Sequence, residues 1–501
     1  METIFHYIII FSLFLLSLLF LFIRSRNPKN LKSIPSPPRL PIIGNLHQLG
    51  THPHRSLKAL SRKYGPIMFL QLGHVPTIVI TSADIVREIF QTHDVVFSNR
   101  PKTTAAQILL YGGQDVGFAQ YGEQWRQSRK ICVLELLSFK MVQQFQHVRE
   151  EEVALLVDRI REACFNGSSV NLSEMLIATN NNIVCKCTLG KSFVEEDGRS
   201  SFGELSRTVM VYLMAFCVGD FFPYLRWIDV LRGFNRRLKR TFRALDQLFD
   251  EVIEQHEAVI ESDDGSNMAN ILLRFQKDAG KLDFEFTRDN LKAILLDMFL
   301  GGTDTASATL EWMMAELMRN PKVMKKVQEE VRRVVGKKPM IEPNHINQME
   351  YLKCVVKETL RLRSPVPLLA PRETLTSVDM GGYHIPAKTR VLVNAWAIQR
   401  DPSLWDEPEE FIPERFENRN VDFKGLDFEL IPFGFGRRGC PAISFGIAAV
   451  ECVIANLLYW FDWKLADVDV QSLKELDMDE VYGLTVHKKV SLNLVPKINS
   501  T

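Results

Sequence analysis

No CxxC pair occurs among the eight cysteines of this 501-residue chain, which are scattered from Cys132 to Cys452. That spacing excludes a disulfide framework and a zinc site, and leaves most of the thiols as expected buried, inert side chains. A charge imbalance is also missing: 61 basic side chains face 60 acidic ones, for a net charge of +1. Nothing in that balance directs the chain to nucleic acid. There is no internal repeat or low-complexity tract. Strand and helix signals do not alternate, which sets aside a doubly wound parallel sheet. What is present is ample apolar content, 46% of residues, enough for one large core. Length alone would suggest about three domains at roughly 150 residues each, but no internal boundary supports a split.

The first segment is the longest apolar run. Ile4 to Ile23 carries few polar residues, His6 and Tyr7 among them, and Arg24, Arg26, Lys29 and Lys32 follow at once. A helix needs about 20 apolar residues to cross the hydrocarbon. The basic flank is expected on the cytosolic side, with Met1 across the membrane. The run is long for a signal peptide and no small-x-small cleavage site follows, so an uncleaved anchor over 1–26 is expected. With a cytosolic body, the sequons at Asn166, Asn171 and Asn499 are chance matches. Residues 27–45 hold Pro28, Pro35, Pro37, Pro38 and Pro41, which predicts an extended, stiff hinge. The body is then 46–501.

The body reads as mainly α with small β-sheets. Strand signals lie at 67–72 and 77–81, and a hairpin is expected over 378–393 around Gly381 and Gly382. Helical periodicity covers 123–137, 139–164, 203–218, 233–261, 287–319, 322–335, 349–363 and 441–461.

Chemistry concentrates at Pro432-Phe-Gly-Phe-Gly-Arg-Arg-Gly-Cys440-Pro441. Its glycines let backbone pass close to a flat, bulky group. Cys440 is expected to open a helix with Pro441 at its first position. A helix N-terminus together with Arg437 and Arg438 would favour thiolate over thiol, and the nearly all-apolar stretch 443–461 reads as a buried helix. A thiolate so held suits an axial iron ligand. Gly434, Gly436 and Gly439 also fit G-x-G-x-x-G, but without the flanking strand that a dinucleotide site requires.

The loop resembles the haem-binding motif F-x-x-G-x-R-x-C of the cytochrome P-450 family, with Phe433, Gly436, Arg438 and Cys440 at its fixed positions. From end to end the chain is similar to plant microsomal members. The resemblance implies that fold with one N-terminal transmembrane helix, and haem b ligated by Cys440. It implies an endoplasmic reticulum location with a cytosolic catalytic domain, and electrons from NADPH through a separate cytochrome P-450 reductase. Ala442 departs from the family's usual glycine.

Three further constellations gain meaning from that resemblance. Gly301-Gly302-Thr303-Asp304-Thr305 interrupts a long apolar helix, where each glycine costs roughly 0.5–1 kcal/mol against alanine. On the residues alone this is a packing kink with a solvated acid, or a helix widened over a ligand. The family's motif implies the second, with Thr305 holding a water by hydrogen bond and Asp304 relaying protons. Glu358 and Arg361 share a helix face, and the resemblance joins them to Arg415 in a buried network bracing the haem loop. Trp125 and Arg129 also share a face. With Arg372 and Arg438 they are implied propionate partners, which suits bidentate guanidinium chemistry. Relatives often read His-Pro where this chain has Arg363-Ser364.

An apolar substrate pocket is expected from the segment near 101–118, Leu296 to Gly302, Val366 to Leu369 and Tyr482 to Thr485. Phe299, Gly301, Val366, Leu368, Leu369 and Leu484 are its named walls. The implied reaction is insertion of one oxygen atom from O2 into a terpenoid, alkaloid or phenylpropanoid. Two alternatives stay open: a rearranging member needing neither O2 nor reductase, which would often lack the Asp304–Thr305 pair, and a non-catalytic haem-binding membrane protein.

Overall fold

The computed structural model describes residues 6–7, 9–17, 34–192, 201–259, 267–277, 284–466 and 476–499. Of the expected anchor, 6–7 and 9–17 are helical; the rest of 1–26, and 27–33, lie outside the described residues.

One helix organises the body. Arg288–Arg319 spans 32 residues and starts at a reciprocal capping box, in which Thr287 accepts the Asn290 N–H and Asn290 accepts the Thr287 N–H. Such a box satisfies two otherwise orphaned donors. The helix is buried on nearly every face, as its apolar composition requires. It packs most extensively against Leu172–Leu189, which no sequence period announced. That helix buries Asn180, Asn182 and Thr188, so it shows no apolar stripe. Its polar groups are satisfied internally: Asn180 donates to Leu176 O at 2.9 Å, Asn182 to Glu152 at 2.9 Å and Thr188 to Val184 O at 2.6 Å.

Several expected boundaries move. The 123–137 stretch is an α-helix over Glu123–Ile131 followed by a π-turn over Cys132–Leu136. The 139–164 stretch breaks at Phe145 into Phe139–Gln144 and Gln146–Phe165. The 378–393 hairpin is shorter than expected. Val378–Met380 and Tyr383–Ile385 pair around Gly381 and Gly382, both at positive φ, as a tight two-residue turn demands. Arg390–Val393 leaves that hairpin and runs parallel to Val75–Ile80, in a sheet ordered Ile67–Leu72, Val75–Ile80, Arg390–Val393, Arg372–Glu373. A second sheet joins Val170–Asn171, Asn493–Ile498 and Phe461–Leu465.

The described part of the proline-rich segment is no free hinge. Ile34 is 2% exposed, Pro35 O accepts the Phe69 N–H at 2.8 Å, and Asn45 donates to Pro37 O and Pro38 O. Proline lacks a donor but keeps its carbonyl, so these residues dock on the sheet as acceptors.

Candidate active site

The Cys440 loop is shaped by two left-handed glycines, Gly434 at φ 73° and Gly436 at φ 63°. A side chain at Gly436 would run into the Asp94 carboxylate. The loop closes on itself: the Cys440 N–H donates to Phe433 O at 2.8 Å and the Gly439 N–H to Gly436 O at 2.9 Å. The helix behind it starts at Ile443 rather than at Pro441, with Ala442 as its cap. The Ala442 N–H lies 3.4 Å from Cys440 Sγ.

The charges around this sulfur differ from the expectation. Burial pushes the Cys440 thiol up; the Ala442 N–H and Arg129 oppose it. Arg437 turns outward, about half exposed, to Asp94. Arg438 turns away to three carbonyls, donating to Ser98 O at 2.7 Å, Val116 O at 3.2 Å and Ala119 O at 2.6 Å.

Arg438 belongs to a cluster. Arg129 donates to Gly439 O at 2.6 Å and Arg372 to Phe435 O at 2.7 Å. Trp125 donates to Val116 O at 3.0 Å, under the Arg438 guanidinium 4.0 Å from its ring centre. The fourth member, Arg100, was not anticipated. It is 5% exposed and donates to Gly117 O, Ala370 O and Pro371 O. Only a lone arginine between Asn99 and Pro101 marks it in the sequence. Burial, then the charge of Arg372, pushes Arg438 down to about 9. Burial pushes Arg372 down to about 10, with Asp94 opposing. Burial and Arg438 push Arg100 down as well. Concentrated positive charge held mainly by carbonyls is costly unless an anion joins it.

These groups border a two-lobed cavity. Both lobes are lined by Arg100, Gly301, Thr305, Arg438, Cys440 and Phe445. The walls of the first are mostly apolar; Asp297, Thr188 and Thr485 are among the exceptions. Val366 and Leu484 line the first lobe, and Leu369, at φ 52°, lines the second. Phe299 is on neither wall; it is buried in the core, on the central helix itself. Leu368 packs against the sheet instead. Leu110, Val116 and Phe118 belong to the expected 101–118 segment, while Leu137, Val184, Met210 and Leu213 come from segments that nothing in the sequence brings together.

Within the central helix the glycines divide their roles. A methyl on Gly301 would meet nothing within 4 Å, whereas one on Gly302 would sit 2.7 Å from Val184 Cγ2. Gly301 therefore keeps cavity space, and Gly302 admits the neighbouring helix. Thr305 faces the cavity and donates to Gly301 O at 2.5 Å. Asp304 is fully buried, off the cavity wall, with Arg207 Nε 3.6 Å from its carboxylate. Burial raises its pKa, and Arg207 and Thr485 oppose.

Behind the loop, Arg361 grips Glu358 through Nε at 2.7 Å and Nη2 at 2.8 Å, and Arg415 adds Nε at 3.1 Å. Arg361 also donates to Gln399 O, Pro408 O and Glu410 O. Arg363 pairs with Glu316 at 2.8 Å, away from the cavity walls.

The arrangement fits haem: a cavity-facing sulfur and a hydroxyl share one largely apolar cavity, beside a guanidinium cluster suited to two carboxylates. The cytochrome P450 family model matches residues 34–490. The chain is 54% identical to a phenylacetaldehyde oxime monooxygenase of Prunus mume, over 96% of this chain and 92% of that one. It is 47% identical to desmethylyatein synthase of Sinopodophyllum hexandrum, over 97% and 98%, and 46% identical to costunolide synthase of Cichorium intybus, over 98% of each. A zebrafish cytochrome P450 solved with progesterone superposes with a TM-score of 0.76 at 24% identity, over 89% of this chain and 99% of that one, and shows the shared fold. The chain belongs to the cytochrome P450 family, and its activity is that family's: monooxygenation on haem b, using O2 and electrons from NADPH supplied by a redox partner.

Proposed function

We propose that the chain hydroxylates a small apolar specialised metabolite, with Cys440 as thiolate ligand of the haem iron. Trp125, Arg129, Arg372 and Arg438, joined by Arg100, hold the propionates. When bound, haem supplies reductive activation of O2 and transfer of one oxygen atom to a C–H bond. The residues do the rest. The apolar first lobe desolvates and orients the substrate, Val366 and Leu484 among its walls. Thr305 exchanges its bond to Gly301 O for one to a water at the site, and so presents a proton there. Asp304 takes protons from the solvent side, where Arg207 is partly exposed. Phe433 and Gly436 shape the loop, and Glu358, Arg361 and Arg415 brace it.

The observation that carries this reading is Cys440 and Thr305 on the same cavity wall set. The Asp304–Thr305 pair weighs against the rearranging alternative. The named relatives support a substrate of the size of an oxime, a lignan or a terpenoid lactone.

A membrane-bound setting, with an N-terminal anchor in the endoplasmic reticulum and an NADPH–cytochrome P450 reductase beside it, completes the proposal. Tyr224, Trp227, Val230 and Leu231 are exposed together on one short stretch, with Arg226 and Arg232 among them. Apolar groups rimmed by cations suit an anionic lipid surface.

The test is microsomes carrying this chain and a reductase, offered one compound of each class. Product that requires NADPH is expected for one of them. In the same preparation the reduced carbonyl adduct should show a red-shifted Soret band that Cys440→Ser abolishes. Retention of the band in that variant would rule out Cys440 as ligand.

A further inference from the structure

Two acids outside the mechanism above face each other across the loop 115–119. Asp115 is fully buried. Asp297, on the central helix, is open only to the cavity. A methyl placed on Gly117 would touch both, 3.4 Å from Asp115 Oδ2 and 3.4 Å from Asp297 Oδ1. Asp297 accepts the Val116 N–H at 2.5 Å, and Asp115 accepts the Phe118 N–H at 2.5 Å. The carbonyls of the same short loop accept from the propionate-side donors. Val116 O takes Trp125 and Arg438, Gly117 O takes Arg100, and Ala119 O takes Arg438. The peptide groups are thus sandwiched, N–H groups on carboxyls and C=O groups on cations.

Asp115 Oδ1 is buried without a hydrogen-bond partner. Asp115 Oδ2 and Asp297 Oδ1 flank the same Gly117 position, and two buried carboxylates against one short loop cannot both ionise cheaply, so one of them keeps a proton. We infer that Asp115 and Asp297 form a positioning pair that holds one proton between them and, through the peptide groups of 116–119, aims Trp125, Arg100 and Arg438 at the haem edge. The inference rests on the cofactor reading above.

The surroundings agree. Burial pushes Asp297 up, and the charge of Asp115 adds to it; burial raises Asp115, against the pull of Arg438 and Arg100. Cys132, on the neighbouring π-turn, faces the pair too, its thiol raised by burial and then by Asp297. Both shifts favour the protonated form, that of Asp297 above all. As pH rises through the Asp297 ionisation, a second buried charge appears and the loop loosens.

The test uses purified holoenzyme and follows haem transfer to excess apomyoglobin by the Soret band, from mildly acidic to mildly alkaline pH. In the wild type the transfer rate is expected to be flat and then to rise severalfold towards alkaline pH. Asp297→Asn keeps an acceptor for the Val116 N–H and donates to Asp115 where the shared proton lay. It should lose haem slowly at every pH, with the alkaline rise abolished. Asp297→Ala should lose haem fast throughout. A wild type with no alkaline rise, or an Asp297→Asn variant that retains the rise, overturns the pair. If Asp297→Ala does not fold, the comparison of wild type with Asp297→Asn decides alone. A wild type that takes up no haem overturns the cofactor reading, and this inference with it.

Discussion

At the scale of single residues, the two central glycines carry opposite consequences. Alanine at Gly301 meets open space and gains helix propensity, about 0.5–1 kcal/mol. Alanine at Gly302 must displace Val184, 2.7 Å away, on a neighbouring helix, and overpacking of that kind costs roughly 1–3 kcal/mol. Gly301→Ala is therefore expected to leave the thermal midpoint unchanged or raise it while weakening the substrate-induced spectral shift. Gly302→Ala should lower the midpoint. Calorimetry paired with a spectral titration separates the two, and equal midpoints would show that both glycines serve the cavity alone. The sequence displays the glycine pair but not this division, because only the packed Leu172–Leu189 helix distinguishes the two faces.

At the scale of elements, the Cys440 loop is held from behind. Glu358 and Arg361 are both wholly buried, and Glu358 also accepts the Ile412 N–H at 2.8 Å. Glu358→Ala would strand a buried guanidinium that now spans its own helix and the 399–410 segment. Breaking one member of such a pair costs about 3–5 kcal/mol. The expected outcome is a lower denaturant midpoint for the holoenzyme and a reduced haem content on purification; an unchanged midpoint would assign the network no bracing role. This network was legible from sequence only through family resemblance, since an i,i+3 pair and a distant arginine carry no sign of burial. The long apolar helices announced themselves by composition. The Leu172–Leu189 helix did not, because its asparagines and threonines satisfy themselves inside the core. The short strands were hidden for a related reason. Arg390–Val393 reads as the end of a hairpin, and only its parallel partner, Val75–Ile80, far away in the chain, decides which sheet receives it.

At the scale of the whole molecule, the two ends of the body are pinned together. His54 and Arg55, on the early helix Pro53–Tyr64, each bring a nitrogen to 2.9 Å from Glu480 Oε1, near the C-terminus. Burial alone would raise the Glu480 carboxyl. Contact with His54 and the charges of His54 and Arg55 outweigh it and hold the group at about 2, against an ordinary 4.5. Burial lowers His54 itself, so the partner that matters at neutral pH is the Arg55 guanidinium. A carboxyl depressed on folding contributes stability above its unfolded value, and that contribution is lost as pH falls through its folded value. For Glu480 the window runs from about 4.5 down to about 2. The full contribution across that window is roughly 3 kcal/mol, with little solvent screening because the side chain is 5% exposed. Glu480→Gln should then be less stable than the parent by a constant amount at every pH above about 4.5, the gap narrowing only below it. Denaturant unfolding at stepped pH measures that gap. A gap that narrows instead around neutrality would make His54, not Arg55, the partner that holds the ends of the body together.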